Sequence, residues 1–113
     1  MSSSCLFCKI VAKTIPAKIV AENSSCVAFR DINPQAPTHI LVIPRHHTAS
    51  LNDAKDAALI GEMHLMAAEI AKAEGLAERG YRTVINTNAD AGQTVFHIHL
   101  HLLGGRRMSW PPG

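Results

Sequence analysis

The sequence lacks several features that mark particular classes of protein. No run of residues approaches the ~20 apolar positions that a membrane-spanning helix needs. Positive charges exceed negative ones by only two, so no basic stripe indicates nucleic-acid binding. The N-terminus has no basic start followed by an apolar stretch, as a secretory signal would have. We therefore expect a cytoplasmic protein without membrane or nucleic-acid partners.

Aromatic residues, cysteines and phosphate-binding loops are also scarce. Aromatic side chains make up 4% of the 113 residues, whereas hydrophobic residues make up 47%, so we expect a mostly aliphatic core. Three cysteines, an odd count, favour reduced thiols over a disulfide framework. The absence of a Gly-x-x-x-x-Gly-Lys-Ser/Thr motif excludes a P-loop. The length suits one domain, to which we assign residues 1–113.

Short apolar segments separated by turns predict a small sheet. A hairpin is predicted at residues 18–22 and 26–30, and further strands at residues 39–43 and 81–86. A short helix is predicted at residues 9–12. The prolines and glycines of residues 31–37 and 104–113 predict a loop and a C-terminal tail.

One long segment has helical periodicity. Asn52 or Asp53 can cap a helix that runs to about Glu74, and Gly75 suits its end. The apolar residues of this helix fall on one stripe, namely Leu59, Met63, Met66 and Ile70. The fold class is therefore α+β, with an antiparallel sheet covered on one face by one long helix.

The most informative segment is His97-Ile98-His99-Leu100-His101-Leu102-Leu103. Strict alternation is the period of a β-strand, so the three imidazoles project from one face and the aliphatic residues from the other. At ~3.3 Å per residue, neighbouring rings would lie roughly 6.6 Å apart. A solvated strand face is expected to carry Thr, Lys, Glu or Arg, whereas this one carries a row of side chains that titrate near neutrality.

Three interpretations of this row are open. The histidines could occur there by chance. A His-x-His pair could supply two zinc ligands, although the outer rings lie roughly 13 Å apart, too far for one metal to take all three. A neutral imidazole could attack phosphorus, provided that an acceptor holds the proton on its other nitrogen and a flanking imidazole donates to a phosphoryl oxygen or the leaving group.

The residues before the row favour chemistry at phosphorus. Ala91-Gly92-Gln93-Thr94 is a turn of mostly small residues whose backbone N–H groups could approach an anionic phosphate. The hydroxyl of Thr94 adds a further donor.

These motifs resemble the signature of the histidine triad (HIT) superfamily, and more closely its nucleotide-binding branch, the purine nucleoside phosphoramidases. The resemblance extends over nearly the whole chain and includes residues 15–19, 29–32, 34–39, 41–44, 91–94 and 104–113. The tail is typical of this branch and is not expected in the dinucleoside polyphosphate hydrolases. The resemblance implies a hydrolase that cleaves the P–N bond of purine nucleoside 5′-phosphoramidates through a nucleotidyl-histidine intermediate.

The resemblance also implies roles for individual residues. His99 is the expected nucleophile, His101 contacts the phosphoryl or leaving group, and the carbonyl of His97 orients the His99 ring. The expected catalytic set is His99, His101, His97, Thr94 and His39. The expected nucleotide-binding set is Phe7, Ile10, Phe29, Asp31, Ile32, Asn86, Gly92, Gln93, Thr94, His99 and His101.

Some of these residues have simpler interpretations. Phe7, Ile10 and Phe29 would suit ordinary core packing, and Asp31 would suit a turn. Thr94 stands where the family leads us to expect serine; the hydroxyl is kept, but the added methyl group could change the preference for leaving groups.

The Cys5-Leu6-Phe7-Cys8 motif also has several interpretations: half of a zinc site, a redox pair or an accident. A redox pair is poorly supported, because the motif does not follow a strand in a βαβ unit. Similarity to bacterial HIT proteins implies that His47 and His97 complete a closed structural zinc site. Such a site would fasten the N-terminus to the histidine strand and take no part in the chemistry.

Assembly can be predicted from the same pattern. The strand at residues 81–86 would be an unprotected edge, and pairing it and the helix stripe across a two-fold axis would cover both. The resemblance likewise implies a homodimer with a continuous sheet, in which the tail through Trp110 lies near the partner's active site. The alternatives to a phosphoramidase are a dinucleoside polyphosphate hydrolase or nucleotidyltransferase on the same fold, and a nucleotide-sensing adaptor.

Overall fold

Five strands form one antiparallel sheet in the computed structural model, which describes residues 4–113. The strands are β1 (Ile19–Glu22), β2 (Cys26–Arg30), β3 (Thr38–Pro44), β4 (Tyr81–Val84) and β5 (Leu100–Gly104). Their order is β1-β2-β3-β5-β4, so β1 and β4 are the edges. The helices are α1 (Leu6–Val11) and α2 (Ala57–Ala73), with single 3-10 turns at Leu51–Asp53 and Ala89–Ala91. The predicted antiparallel sheet with one long helix is confirmed.

The predicted hairpin is closed by a side-chain turn. The Oδ1 atom of Asn23 accepts hydrogen bonds from the backbone N–H groups of Ser25 at 2.9 Å and Cys26 at 2.8 Å. This Asx turn brings β1 back onto β2.

The sheet separates two hydrophobic clusters. Alternate residues of β3 and β5 point towards α2, where Ile40, Val42, Leu100 and Leu102 pack with Met63 and Ile70. The other face carries a cluster of Phe7, Ile10, Val27, Phe29, Leu41 and Ile43, so α1 covers part of this second face. Neither helix within residues 4–113 has the length and apolarity needed to cross a membrane.

The predicted start of the long helix is wrong. Asn52 and Asp53 lie in a 3-10 turn that is capped by the hydroxyl of Ser50, which accepts the N–H of Asn52 at 3.2 Å, and the residue after this turn is extended. Helix α2 begins after Asp56, whose carboxylate accepts a hydrogen bond from the N–H of Leu59 at 3.2 Å. All four side chains are good helix caps, and the path of the chain decides which one is used.

The apolar stripe of α2 is covered by the protein's own sheet. Met63, Met66 and Ile70 are buried, and Leu59 packs against the same cluster. The expectation that this stripe needs a partner chain is therefore wrong, since β3 and β5 already cover it. The expectation that the strand after α2 is an edge is confirmed, since β4 pairs only with β5 in the described sheet.

Candidate active site

The three histidines of the row share the face opposite α2. Ile98, Leu100 and Leu102 are buried under the helix, whereas the Phe7 ring contacts His97 and His99 from the other side. The ring centroids of His99 and His101 are 5.0 Å apart. The predicted alternation is thus confirmed, although only His101 belongs to the paired strand β5.

The strand is interrupted because β3 ends in a proline. Leu100 pairs with Val42, so continuing the ladder by two residues would bring Ile98 opposite Pro44. Pro44 has no N–H to donate, and the N–H of Ile98 instead bonds to the carbonyl of Thr48 at 2.7 Å. The carbonyl of Pro44 accepts a hydrogen bond from Nε2 of His97 at 2.8 Å.

The hydrogen bonds of His99 fix its tautomer. Its Nδ1 lies 2.8 Å from the carbonyl oxygen of His97, and a carbonyl can only accept, so Nδ1 carries the proton. Burial holds the pKa of His99 below its ordinary value, so the ring is neutral at pH 7. Nε2 therefore carries an unshared lone pair, as a nucleophile requires.

A second chain of hydrogen bonds fixes the opposite tautomer on His101. The backbone N–H of Gln35 donates to Nδ1 of His39 at 3.0 Å, which leaves the proton of a neutral His39 on Nε2. That nitrogen lies 2.9 Å from Nδ1 of His101 and 3.4 Å from Oδ2 of Asp31. Because Nδ1 of His101 accepts this bond, its own proton is on Nε2.

Electrostatics keep this second pair neutral. Burial, followed by the neighbouring rings of His99 and His39, lowers the pKa of His101 to about 4. Burial also lowers the pKa of His39, against the opposing effect of Asp31. The two adjacent imidazoles are thus complementary. His99 presents a lone pair on its Nε2, and His101 presents an N–H donor on its own Nε2.

His99 and His101 lie at a cavity of about 390 Å³ that we call the first cavity. Its apolar lining consists of Leu6, Phe7, Ile10, Ile15, Pro16, Ala17, Phe29, Ile32, Leu41 and Val95. Its polar lining consists of Arg30, Asp31, Thr94, His99 and His101. The fold therefore brings together eight of the predicted site residues: Phe7, Ile10, Phe29, Asp31, Ile32, Thr94, His99 and His101.

The other predicted residues lie outside this lining. His39 is buried behind His101, and Asn86 follows the end of β4, two positions beyond the partner of His101. The side chain of Gln93 is engaged in the fold: its Nε2 donates to the carbonyls of Ala49 at 2.8 Å and Val95 at 3.1 Å.

The turn at residues 91–94 depends on Gly92 and Gln93 for its shape. Gly92 has φ +89°, a conformation that other residues rarely adopt. The Oε1 atom of Gln93 accepts a hydrogen bond from the N–H of Asn88 at 2.8 Å. Gly92 and Gln93 thus form a rigid support that holds Thr94 at the edge of the cavity.

Several lining residues of the first cavity are not among those predicted from the sequence, including Ile15, Pro16 and Leu41. Leu41 is opposite Phe29 in the β2–β3 ladder and on the same face as His101. Pairing with the predicted wall residue Phe29 would have identified it, but the register of the two strands has no clear signal in the sequence.

Four donor atoms beside the first cavity form a candidate metal centre. Ligand atoms of Cys5, Cys8, His47 and His97 all lie within 4.8 Å of one another. Nδ1 of His47 is 3.3 Å from Sγ of Cys8 and 3.3 Å from Nδ1 of His97. Nδ1 of His97 is in turn 3.5 Å from Sγ of Cys5. Tetrahedral zinc with nitrogen and sulfur ligands has ligand separations of roughly 3.3–3.8 Å. The donor set therefore fits a tetrahedral metal ion.

His97 is prepared for this role. Its Nε2 proton is held by Pro44, so Nδ1 is the unprotonated nitrogen and faces the two sulfur atoms. Cys5 also caps α1, since its Sγ accepts a hydrogen bond from the N–H of Cys8 at 3.3 Å. Helix α1 begins earlier than the predicted residues 9–12 because of this cap.

The HIT domain family matches residues 12–108, which is most of the chain. The protein belongs to the HIT family. A HIT-like protein of Synechococcus elongatus, itself described as uncharacterized, is 55% identical over the full length of both chains. The purine nucleoside phosphoramidase of Escherichia coli is 50% identical over 94% of this chain and 91% of its own.

A solved structure of the HIT family has the same fold. The crystal structure of a HIT family hydrolase from Legionella pneumophila matches with a TM-score of 0.95 and 55% identity. The match covers 97% of this chain and all of that one. Together with the phosphoramidase relative, this similarity supports a hydrolase of the HIT family.

Proposed function

We propose that this HIT protein hydrolyses the P–N bond of purine nucleoside 5′-phosphoramidates, releasing a nucleoside monophosphate such as AMP and an amine. The observation that carries the proposal is the pair of opposite tautomers on His99 and His101, at a cavity with apolar walls. Similarity to the Escherichia coli phosphoramidase supports the substrate class.

In the first step, Nε2 of His99 attacks phosphorus and a P–N bond forms between enzyme and nucleotide. The bond to the amine breaks and the amine takes a proton from water, while Nε2–H of His101 donates a hydrogen bond to a phosphoryl oxygen, where negative charge develops. Nδ1–H of His99 remains on the carbonyl of His97, which stabilises the positive charge that develops on the ring. In the second step, water attacks phosphorus, the bond to Nε2 of His99 breaks, and the proton of the water passes to solvent, which leaves His99 neutral again.

The nucleoside would occupy the first cavity. Phe7 and Phe29 meet edge to face with ring centroids 5.5 Å apart and, with Ile10, form an apolar wall for a flat base. The carboxylate of Asp31 would accept hydrogen bonds from the ribose hydroxyls. Its Oδ1 already accepts the N–H of Asn33 at 2.8 Å, which holds the group at the rim.

The metal of the proposed structural centre is zinc, held by Cys5, Cys8, His47 and His97. When bound, it would cross-link the N-terminal residues to the segment that carries the catalytic rings. Two thiolates and two imidazoles complete a tetrahedral shell, so no position is left for substrate. Catalysis therefore needs no cofactor in this proposal.

A homodimer and a cytoplasmic location complete the proposal. β4 is an edge strand that a second copy could extend, and the tail is tied to it because Arg82 donates to the carbonyl of Ser109 at 2.9 Å. Trp110 is 82% exposed and would lie near the partner's active site.

The three cysteines, all within the described residues, form no disulfide, which accords with a reducing compartment. Light scattering should give twice the mass of the 12.2 kDa chain.

One comparison tests the proposal against its alternatives. Turnover of adenosine 5′-phosphoramidate and of a diadenosine polyphosphate is followed by phosphorus NMR under identical conditions. We expect AMP and ammonia from the first and little reaction with the second. Preference for the polyphosphate would favour the hydrolase or nucleotidyltransferase alternative, and nucleotide binding without turnover of either would favour the adaptor.

A further inference from the structure

A second cavity of about 450 Å³ borders the first one. The two share the side chains of Leu6, Thr94 and Val95. Beyond this shared boundary, the second cavity is lined by Phe96 and by the metal-set residues Cys5 and His47. Apart from Thr94, none of its lining residues belongs to the catalytic or nucleotide-binding sets predicted from the sequence.

We propose that this second cavity binds the substituent on the leaving nitrogen and selects amines that carry an uncharged aryl or alkyl group. This inference rests on the proposed function and specifies its substrate class.

The direction of the reaction supports this placement. A displacement at phosphorus proceeds in line, so the amine leaves on the side away from Nε2 of His99. The nucleoside occupies the first cavity, and the amine must therefore lie outside it. Thr94 is exposed and lines both cavities, so a phosphoryl group beside it has the second cavity as a neighbouring space.

The chemistry of the lining selects the substituent. Leu6 is 47% and Phe96 50% exposed, and both present apolar surface that a ligand could cover. Among the described residues that line this cavity, none is Asp, Glu, Lys or Arg. A zinc ion with two thiolates would add no net charge to its wall. An apolar group would gain by burial there, whereas a carboxylate or ammonium group would lose solvation without an ionic partner.

A third cavity gives the contrasting case. It has a volume of about 570 Å³, lies around Asp31 and is also lined by Lys18 and Arg30. A leaving group that carries phosphate would be attracted to Lys18 and not to the second cavity, since Arg30 is already paired with the carboxylate of Glu74 at 3.1 Å. Mutations in the lining of the second cavity should therefore affect apolar leaving groups, whereas mutations in the lining of the third should affect leaving groups that carry phosphate.

The test compares three adenosine 5′-phosphoramidates, with an unsubstituted, an N-benzyl and an N-carboxymethyl nitrogen. Phe96→Ala should lower kcat/KM for the N-benzyl substrate about tenfold, mainly through KM, because it removes part of the apolar wall. Turnover of the unsubstituted substrate and binding of AMP should change less than about twofold. Phe96→Leu, which keeps an apolar side chain, should restore most of the loss.

Leu65→Ala is the matched control, since Leu65 is a 69% exposed apolar residue on α2, on the opposite side of the sheet. Equal losses with the benzyl and unsubstituted substrates, or no loss with the benzyl one, would overturn the inference. So would a parent enzyme that prefers the N-carboxymethyl substrate. Failure of the proposed function is recognised separately, because the parent enzyme would then leave the unsubstituted substrate intact.

Discussion

The backbone carbonyl of His97 accepts the Nδ1 proton of His99 at 2.8 Å, while Nδ1 of the same His97 points to the two cysteines of the metal set. One residue therefore connects the candidate metal centre to the proposed nucleophile. Its ring is fixed by Pro44 and by the donor set, and its peptide group fixes the neighbouring imidazole. The metal set can influence the proposed reaction through this peptide group.

The first prediction concerns the nucleophile. His99→Ala should abolish phosphoramidate turnover and leave AMP binding largely intact, because the attack and the ground-state contacts are separate interactions. Rapid quench followed by mass spectrometry should find the nucleotide on the peptide that contains His99 in the parent enzyme. A variant that retains more than a few per cent of kcat would assign the attack to another group.

The second prediction concerns His39 as a positioning residue. His39→Phe removes the donor that fixes the tautomer of His101, so kcat should fall roughly 10²-fold while KM changes little. Nitrogen NMR should show a mixture of His101 tautomers in the variant. His64→Phe is the control, since His64 is exposed on α2, where its Nδ1 lies 2.8 Å from the carbonyl of Ile60. A normal kcat in the His39 variant would contradict this positioning role.

The third prediction concerns the metal. Protein purified without chelator should contain about one zinc per chain, and Cys5→Ser should lower both the zinc content and Tm. Cys26→Ser is the matched control: Cys26 is buried in the other cluster, where burial raises the pKa of its thiol to about 11, and its loss should leave zinc unchanged. Metal-free protein of unchanged stability would contradict the zinc site and leave the cysteines as a relic or a redox pair.

The fourth prediction concerns the ribose. Asp31→Ala should raise KM for ribonucleotide substrates about tenfold, because a hydrogen bond to a charged group is lost. The rise should be much smaller for 2′-deoxy analogues. Asn33→Ala is the control, since only its backbone N–H contacts Asp31. Equal losses with both kinds of sugar would remove Asp31 from the ribose.

The fifth prediction concerns acid stability. The pKa of His101 is about 4 in the folded protein, below the ordinary value of 6.5, so the unfolded chain binds the extra proton. Its contribution to the free energy of unfolding is complete above pH 6.5 and is lost as pH falls towards 4. In urea titrations of chelated protein, His101→Gln should show a smaller loss of stability over this range. An unchanged pH slope would mean that His101 is not held neutral by the fold.

The sequence predicts those parts of the structure that depend on local periodicity. The alternation of residues 97–103 placed the imidazoles on one face and Ile98 and Leu102 in the core, and the helical stripe of α2 was equally clear. The parts that depend on the path of the chain were less predictable. Ser50 and Asp56 cap helical turns in place of the predicted Asn52 and Asp53. Propensity could not separate them, because Ser, Asn and Asp differ little in capping strength.

The partnership of His39 with His101 could not be predicted from the residues alone. The two are 62 positions apart and meet because β3 and β5 pair with His39 opposite Leu103. Resemblance to the HIT family placed His39 at the pocket, but the tautomer that it imposes on His101 depends on the N–H of Gln35 in the preceding loop. The effect of His39 on the tautomer of His101 can therefore be recognised only from the three-dimensional structure.

The alternation of catalytic and core residues along residues 97–103 also constrains motion. Ile98, Leu100 and Leu102 are at most 1% exposed, so the segment cannot move outwards without exposing the apolar surface under α2. Amide hydrogens of β5 should therefore exchange with solvent only through global unfolding, among the slowest in the protein. In the proposed reaction, substrate would bind and product would leave over imidazole rings that remain stationary.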